Sequence, residues 1–276
     1  MSLYGHNIQR KFLCLLVLNL FLIARVKADV QVQLCPGETY DGQIQKKIVA
    51  IDKALQRGTK AHVKLLFEKV TGPLSSPQCD RINELIAKRI FENYTEYFHV
   101  GEPLSQIPYT VESVADYIAR DYEAVFSSFK EEVESFGTVG PVGVIMLGRI
   151  NDSIDGFLSY RLQDAFSVGD PYGRPAYYER GLVLDLRTGE PVKLEEIIDK
   201  GSWENLERML AQSFHSQYPE SLMDYNSIEP SDNFAFSEQG VVFMYDAGTI
   251  DSLAMGVIVL TIPWTDFKQI ASESFR

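Results

Sequence analysis

A series of short strand patterns, beginning near residue 139, is the feature that most constrains the fold. Strand-like runs cover residues 142–150, 154–168 and 176–186, and Asn-Asp and Gly-Asp-Pro-Tyr-Gly turns separate them. Parallel neighbours need connections of a dozen or more residues, so connections this short favour antiparallel pairing. The sequence therefore predicts an antiparallel sheet in the middle of the chain.

Helical patterns lie on both sides of these strands. Apolar residues recur at helical spacing in residues 43–57, 76–94, 110–133 and 203–214. Further strands are predicted at residues 62–70 and within 233–262, and a short helix at 264–270. The expected fold class is α+β, an antiparallel β-sheet with helices packed on one face.

Residues 180–198 read as a hairpin followed by a helix. The Arg-Thr-Gly stretch at 187–189 fits a type I turn with Gly189 in the left-handed conformation. We expect Asp185 to support this turn and residues 192–194 to begin a return strand. The two glutamates at 195–196 suit the start of a helix, where negative charge is favourable.

The N-terminus resembles a targeting segment. Arg10 and Lys11 precede an apolar run of 12 residues at 12–23. A membrane-spanning helix needs about 20 such residues, so the run fits a signal peptide, with cleavage after Ala28. An uncleaved membrane anchor is the alternative. We expect a periplasmic or secreted protein without a stable membrane span after cleavage.

The chain is acidic. Its net charge is −12, and loss of residues 1–28 removes four basic and no acidic residues, which brings the charge to −16. Such a surface repels nucleic acid and anionic membranes and attracts basic proteins. We therefore expect no nucleic-acid partner.

Two cysteines, Cys35 and Cys79, remain after the predicted cleavage. In an oxidising compartment an even pair suggests a disulfide, which would join the N-terminal segment to a helix. The alternative is a pair of buried free thiols.

No strong catalytic motif is present. The sequence has no nucleophile elbow, zincin, phosphate-loop or dinucleotide-binding pattern, so we expect no cofactor and assign no catalytic residue. His62, His99 and His215 lack metal-ligand spacing, so no metal site is predicted. The carboxylates leave one enzyme alternative open, because a glycosidase needs two of them facing each other across a cleft.

The segment 171–181 is the predicted binding surface, because tyrosine and arginine dominate binding hot spots. Ordinary cross-strand packing of the tyrosines is the alternative interpretation. The candidate ligand-binding residues are Tyr172, Arg174, Tyr177, Tyr178 and Arg180.

The C-terminal half resembles the DUF3298 family, the C-terminal part of RsiV-type anti-sigma factors. The helix around Arg81 and the strands at 142–168 resemble the DUF4163-like segment that usually precedes it. The likeness covers residues 61–270. Its motif residues are Asp185, Thr188, Gly189 and Leu194, then Gly240 and Phe243, then Gly256, Ile262 and Pro263.

The resemblance implies a domain division. Residues 1–28 form the signal peptide, 29–60 an N-terminal extension, 61–179 the DUF4163-like segment and 180–276 the DUF3298-like segment. We expect residues 61–276 to form one compact unit. The family's histidine before the Asp strand is missing at 169–173, and its Tyr-x-x-Ala-Pro-Tyr run is altered at 249–254, so the ligand is expected to differ.

RsiV-type domains bind lysozyme, which implies a binding role in the cell envelope. We expect an exported, non-catalytic domain whose partner is a basic, lysozyme-like hydrolase or a cell-wall component such as peptidoglycan. The alternatives are a carboxylate-dependent enzyme acting on envelope glycans, or a structural module that pairs through its sheet edge.

Overall fold

The structure is a computed structural model that describes residues 44–57, 59–72, 74–98, 108–136, 142–154, 156–167, 176–273 and 275. The chain divides into Met1–Pro36 and Gly37–Arg276, and all described residues belong to the second unit. The predicted signal peptide lies outside the described residues.

The described residues form eight strands and five helices. The strands are β1 (Gln45–Arg57), β2 (Thr59–Gly72), β3 (Val142–Ile154), β4 (Phe157–Ser167), β5 (Ala176–Asp185), β6 (Phe234–Ser237), β7 (Gly240–Tyr245) and β8 (Ile258–Pro263). The helices are α1 (Ser76–Phe98), α2 (Val111–Phe136), α3 (Leu194–Ile197), α4 (Trp203–Gln217) and α5 (Trp264–Ile270).

The first five strands form one sheet in the order β1-β2-β3-β4-β5, and the last three form a second sheet in the order β6-β7-β8. The predicted α+β class is confirmed. All neighbours are antiparallel except β2 and β3, which are parallel. This pair is separated in sequence by α1 and α2, which supply the long crossover that parallel strands require.

The first hydrophobic core lies between α1, α2 and one face of the five-stranded sheet. Alternate residues of β2 to β5 point into it because side chains alternate between the faces of a strand. Its members include Val63, Leu65 and Phe67 from β2, Ile82, Ile86 and Ile90 from α1, and Leu158, Tyr160 and Leu162 from β4.

The second core lies against the opposite face of β5. There Val183 is buried together with residues of α4, α5 and the three-stranded sheet, including Leu210, Phe214, Phe236 and Phe267. Its neighbour Leu184 belongs to the first core. Strand β5 therefore contributes to both cores, one from each face.

The two sheets meet at the outer edge of β5, where the Asn233 side chain forms hydrogen bonds that a neighbouring strand would otherwise form. The Asn233 amide accepts a hydrogen bond from the Gly181 N–H and donates one to the Glu179 carbonyl, each at 2.7 Å. A Cβ at position 181 would overlap the carbonyl oxygen of Phe234, so this close approach requires glycine.

The helix predicted for residues 43–57 is wrong, since these residues form β1. Every residue of β1 is paired with β2, from Gln45 opposite Gly72 to Arg57 opposite Thr59, with one shift of register between Gln45 and Lys46. Its alternation places Val49 and Ile51 toward the helices and leaves Ile48, which is 50% exposed, on the other face. Pairing along the full length of β2 overrides the helical propensity of Lys, Ala, Leu and Gln.

The predicted turn after β5 is present. Gly189 has φ 73°, and its N–H donates to the Asp185 carbonyl at 2.7 Å. The predicted return strand is reduced to one bridge between Leu184 and Pro191. The chain then enters α3, whose first turn carries Glu195 and Glu196 as expected.

Candidate functional site

The structure separates the residues of the predicted tyrosine and arginine surface. Tyr172 and Arg174 lie outside the described residues. Tyr177 is 46% exposed and points to the sheet face opposite the helices. Tyr178 and Arg180 point to the helix face, where Tyr178 packs against the first core. The described members therefore do not form one surface.

Arg180 is held in a set of ion pairs. It is 7% exposed, and its guanidinium donates to both carboxylate oxygens of Asp246, at 2.6 and 3.0 Å. It also lies 3.6 Å from Glu96 of α1 and 5.9 Å from the centre of the Tyr178 ring. Arg180 thus joins β5, α1 and the end of β7, which is a structural role.

A buried carboxyl group lies beside this arginine on the same sheet face. Asp164 and Asn93 are 3% and 2% exposed, and Asn93 donates a hydrogen bond to the Asp164 carboxyl. Burial raises the pKa of Asp164 well above its usual range, although nearby Arg180 opposes the shift. The other carboxyl oxygen and Asn93 Oδ1 have no described partner, so a proton on Asp164 would supply a donor there. We call Arg180, Asp246, Glu96, Asp164 and Asn93 the Arg180 cluster.

Sequence reasoning missed most of the Arg180 cluster, but one signal was available. Residues 158, 160, 162 and 166 of β4 are buried on the helix face, and Asp164 occupies the remaining position of that alternation. A carboxylate in an apolar period of two is a candidate buried ionisable group. Asp246 and Glu96 had no comparable signal.

A groove of ≈ 280 Å³ lies beside the cluster, between α1 and the outer edge of β5. Arg89 bridges it by donating to the Gly181 carbonyl at 3.3 Å. Both signs of charge line the groove, which therefore does not select for one type of ion. The lining residues are Leu85, Lys88, Arg89, Glu92, Gly181, Leu182, Val183, Pro191, Val192, Asp232 and Phe234.

Two loops of the C-terminal part are joined at the surface. Ser221 Oγ donates to Asp251 Oδ2 at 2.6 Å, and the Tyr225 hydroxyl donates to the Ile250 carbonyl. Tyr225 also packs edge-on against Phe214 of the second core. The loops are therefore anchored to the core as well as to each other.

The joined loops expose apolar side chains among carboxylates. Leu222 is 100% exposed, Leu253 76% and Met223 43%. The Asp224 side chain is 98% exposed, and Glu220 is exposed as well. Leucine side chains exposed to water gain free energy when a partner covers them, so this surface is a candidate contact site. We call Glu220, Leu222, Met223, Asp224, Asp251 and Leu253 the loop patch.

The remaining motif residues have structural positions. The Asp185 carboxylate accepts the Arg187 N–H at 2.8 Å, and Thr188 Oγ1 accepts the Glu190 N–H at 3.3 Å. Gly240 lies where a Cβ would overlap the Ile262 carbonyl. Gly256 has φ 70° after the 3-10 turn Leu253–Met255, and Pro263 ends β8 and precedes α5.

Cys79 carries a free, buried thiol, and burial raises its pKa. Its predicted partner Cys35 lies outside the described residues, as does His99, so the disulfide stays a prediction. His62 pairs with Asp52 at 2.6 Å, and His215 contacts the Tyr225 carbonyl at 2.9 Å.

Neither a metal-binding cluster nor a helix suited to span a membrane is found among the described residues. Among those residues, no group of three or more His, Cys, Asp or Glu could hold a metal ion. No helix in that part of the chain combines the length and apolar character needed to cross a bilayer.

One family model matches the C-terminal part of the chain. Residues 189–265 match the model of DUF3298, described as a protein of unknown function. No curated protein matches the chain.

Two solved structures share the fold. A DUF3298 family member from Bacteroides fragilis NCTC 9343 is 18% identical, with a TM-score of 0.61 over 83% of this chain and 94% of that chain. A DUF3298 family protein from Pseudomonas aeruginosa PAO1 is 12% identical, with a TM-score of 0.58 over 85% of this chain and 97% of that chain. At these identities the likeness establishes the fold alone.

Proposed function

We propose that the protein is an exported binding domain whose loop patch recognises a strongly basic protein, with a lysozyme-like hydrolase as the favoured partner. The observation that carries this proposal is the exposure of Leu222 and Leu253 beside the carboxylates of Asp224 and Asp251. An apolar centre with charged residues around it is the usual arrangement of a protein interface.

Each part of the loop patch has a separate role in this proposal. The leucines lose contact with water when a partner covers them, which provides affinity. The carboxylates complement basic side chains and exclude acidic partners. The net charge of −12, or −16 after the predicted cleavage, attracts a cationic partner over longer distances and raises the association rate.

The family resemblance supports the same proposal. The DUF3298 match at residues 189–265 includes all six residues of the loop patch. We also propose that residues 61–179 form a DUF4163-like segment. The proposal further includes an RsiV-like binding role and a periplasmic or secreted location. The altered run at 249–254 includes Asp251 and Leu253, so the contact with a hydrolase would use side chains that differ from the family pattern.

The test is retention of the purified protein on immobilised lysozyme at low and at moderate salt. Cytochrome c, which is basic but not a hydrolase, serves as the control partner. We expect retention on lysozyme that weakens at higher salt, because exposed charge pairs are screened. Absence of retention at both salt concentrations would contradict the lysozyme proposal, and equal retention on cytochrome c would reduce it to general recognition of basic proteins.

Variants locate the contact. Leu222→Ser combined with Leu253→Ser is expected to weaken lysozyme binding at least ~10-fold, since each buried leucine contributes roughly 1.5–3 kcal/mol. Tyr177→Ser, which removes an exposed aromatic ring elsewhere, is the matched control and should bind like the wild type. Unchanged binding by the double variant would show that the contact lies outside the loop patch. Parallel assays for peptidoglycan binding and for hydrolysis of envelope glycans address the cell-wall ligand and the enzyme alternative.

A further inference from the structure

We infer that the proton on Asp164 controls the conformation of one loop of the loop patch, and that Arg180 transmits the effect. The loop joins β7 to β8 at residues 246–257 and carries Asp251 and Leu253 of the loop patch. Its first residue is Asp246, whose carboxylate is held by Arg180. The Arg180 cluster and the loop patch are therefore connected through one segment of chain. The consequence for lysozyme binding rests on the proposed function.

Asp164 lies within reach of Arg180. Asp164 of β4 is paired with Tyr178 of β5, and Leu162 is paired with Arg180. Asp164 and Arg180 are therefore diagonal neighbours on one sheet face, where long side chains can meet. One oxygen of the Asp164 carboxyl accepts a hydrogen bond from Asn93, and the other has no partner among the described residues. The second oxygen is available to the guanidinium of Arg180.

Burial decides which carboxylate Arg180 holds. A protonated Asp164 is neutral and leaves Arg180 with Asp246. An ionised Asp164 is a charge on a side chain that is 3% exposed, whereas the Asp246 side chain is 41% exposed and can be hydrated. An unpaired charge costs far more in the interior than at the surface, so Arg180 then turns to Asp164 and releases Asp246. Because burial raises the pKa of Asp164, this exchange takes place well above the pH at which exposed carboxyls ionise.

The groups around Asp164 leave Arg180 as the cation that moves. Arg89 of α1 is held by the Gly181 carbonyl at 3.3 Å. Burial raises the pKa of both nearby tyrosines, which therefore stay neutral while Asp164 ionises. The titratable and charged groups that adjoin this carboxyl in the described part of the chain are Arg89 and Glu96 of α1, Tyr160 of β4, Tyr178, Glu179 and Arg180 of β5, and Asp246 after β7, while β3 contributes the uncharged Met146.

The turn that begins at Asp246 supports Leu253. The Asp246 carbonyl accepts the Thr249 N–H at 3.0 Å, and Gly248 within this turn has φ 83°. A Cβ at position 248 would lie 2.9 Å from Leu253 Cδ2, so the leucine packs directly against the turn. Release of Asp246 frees the turn, and Leu253 loses the surface on which it rests. The Ser221–Asp251 hydrogen bond still joins the two loops, so the change is confined to one side of the loop patch.

Methyl NMR of Leu253 and Met255 in the partner-free protein, between about pH 5 and pH 10, tests the coupling. We expect the Leu253 signals to titrate in the wild type and to keep their low-pH positions throughout in Asp164→Asn, which carries no charge at any pH. Asp246→Asn, which gives up the carboxylate that Arg180 holds, should show the high-pH positions at every pH. Leu253 signals that do not titrate in the wild type, or that titrate equally in Asp164→Asn, would overturn the inference.

Asp121→Asn is the matched control, because burial also raises the pKa of this carboxyl on α2, and it should titrate like the wild type. Circular dichroism confirms that each variant is folded. Asp246→Asn keeps the test decisive where Asp164→Asn does not fold, since Leu253 signals at the low-pH positions in that variant would also exclude the coupling.

Lysozyme retention on the same samples separates this inference from the proposed function. At the high end of the pH range, the wild type should bind lysozyme about 5-fold or more weakly than Asp164→Asn, the usual size of coupling between two sites. Titration of Leu253 without lysozyme binding at any pH would support the coupling and contradict the proposed function. Lysozyme binding without titration of Leu253 would do the reverse.

Discussion

The Arg180 cluster and the loop patch differ in nearly every respect that matters for binding. In the cluster, an arginine that is 7% exposed is paired with Asp246 and Glu96. In the loop patch, Leu222 is 100% exposed, and the nearby Asp224 side chain is 98% exposed. Tyrosine and arginine are the residues expected in a binding site, but here Arg180 is used by the fold. The apolar side chains of the loop patch remain in contact with water, so they are the better candidates for a contact site with a partner.

Replacing Arg180 should have the largest effect on stability. Arg180→Leu removes the two charge-assisted hydrogen bonds to Asp246 and the ion pair with Glu96, which together should lower the free energy of unfolding by about 3 kcal/mol. Urea unfolding measures this loss. Arg187→Leu is the control, because Arg187 pairs with Asp185 at the surface, where its side chain is 77% exposed, and its loss should be clearly smaller. Equal losses in the two variants would show that Arg180 does not join the two parts of the fold.

Removing the Asn233 amide should have the next largest effect. Asn233→Ala leaves the Gly181 N–H and the Glu179 carbonyl without partners at the junction of the two sheets, so the free energy of unfolding should fall by about 1–3 kcal/mol. Asn205→Ala, on the exposed surface of α4, is the matched control and should change it little. A loss no larger than that of the control would mean that water replaces the amide.

Neutralising Asp164 should change how stability depends on pH. Because burial raises its pKa in the folded protein, this carboxyl keeps its proton at pH values where the unfolded chain, with a pKa of about 3.9, has lost it. The contribution of Asp164 to stability is therefore present below the unfolded pKa and is lost as pH rises toward the folded pKa.

The substitution Asp164→Asn removes the loss of stability that occurs in the wild type as pH rises. Relative to the wild type, the variant should gain up to about 1.4 kcal/mol per pH unit above pH ~4, as measured by urea unfolding across the pH range. Asp121, whose pKa is also raised by burial, is present in both proteins and cancels in the difference. A difference that does not vary with pH would mean that Asp164 is ionised in the folded protein.

Changes in the loop patch should have the smallest effect on stability. Leu222→Ser and Leu253→Ser should alter the free energy of unfolding by no more than about 0.5 kcal/mol, because the exposed side chains lose little packing. Combined in one protein, the same two substitutions should weaken lysozyme binding at least ~10-fold. A large loss of stability would instead indicate that these leucines support the loops.

The sequence predicted much of the fold, because most elements have a clear period. The α+β class, the long helix from Ser76, the strands within residues 233–262 and the last helix follow from spacing and turn residues. The sequence did not predict strand β1, because Ile44, Ile48, Ile51 and Leu55 also have helical spacing. Its conformation is set by pairing with β2, which local sequence does not reveal.

The candidate site was less predictable for a different reason. Arg180 has the same parity as Leu182 and Leu184, so its position on the buried face could have been read from alternation. Its partner Asp246 is 66 residues away and had no periodic signal. The loop patch lies in irregular loops, where exposure depends on contacts such as that between Ser221 and Asp251. These long-range contacts are set by tertiary structure.

Strand β5 contributes to both hydrophobic cores, and this limits which part of the chain can be inherited or transplanted as a folding unit. The family match at residues 189–265 begins after β5 and ends before Phe267 and Ile270, although Val183 and both of those residues are buried in the same core. A gene fragment with the matched boundaries would encode an incomplete core that exposes apolar surface to water. The transferable unit therefore extends from the five-stranded sheet through the final helix, and recombination that preserves folding must move the two sheets together.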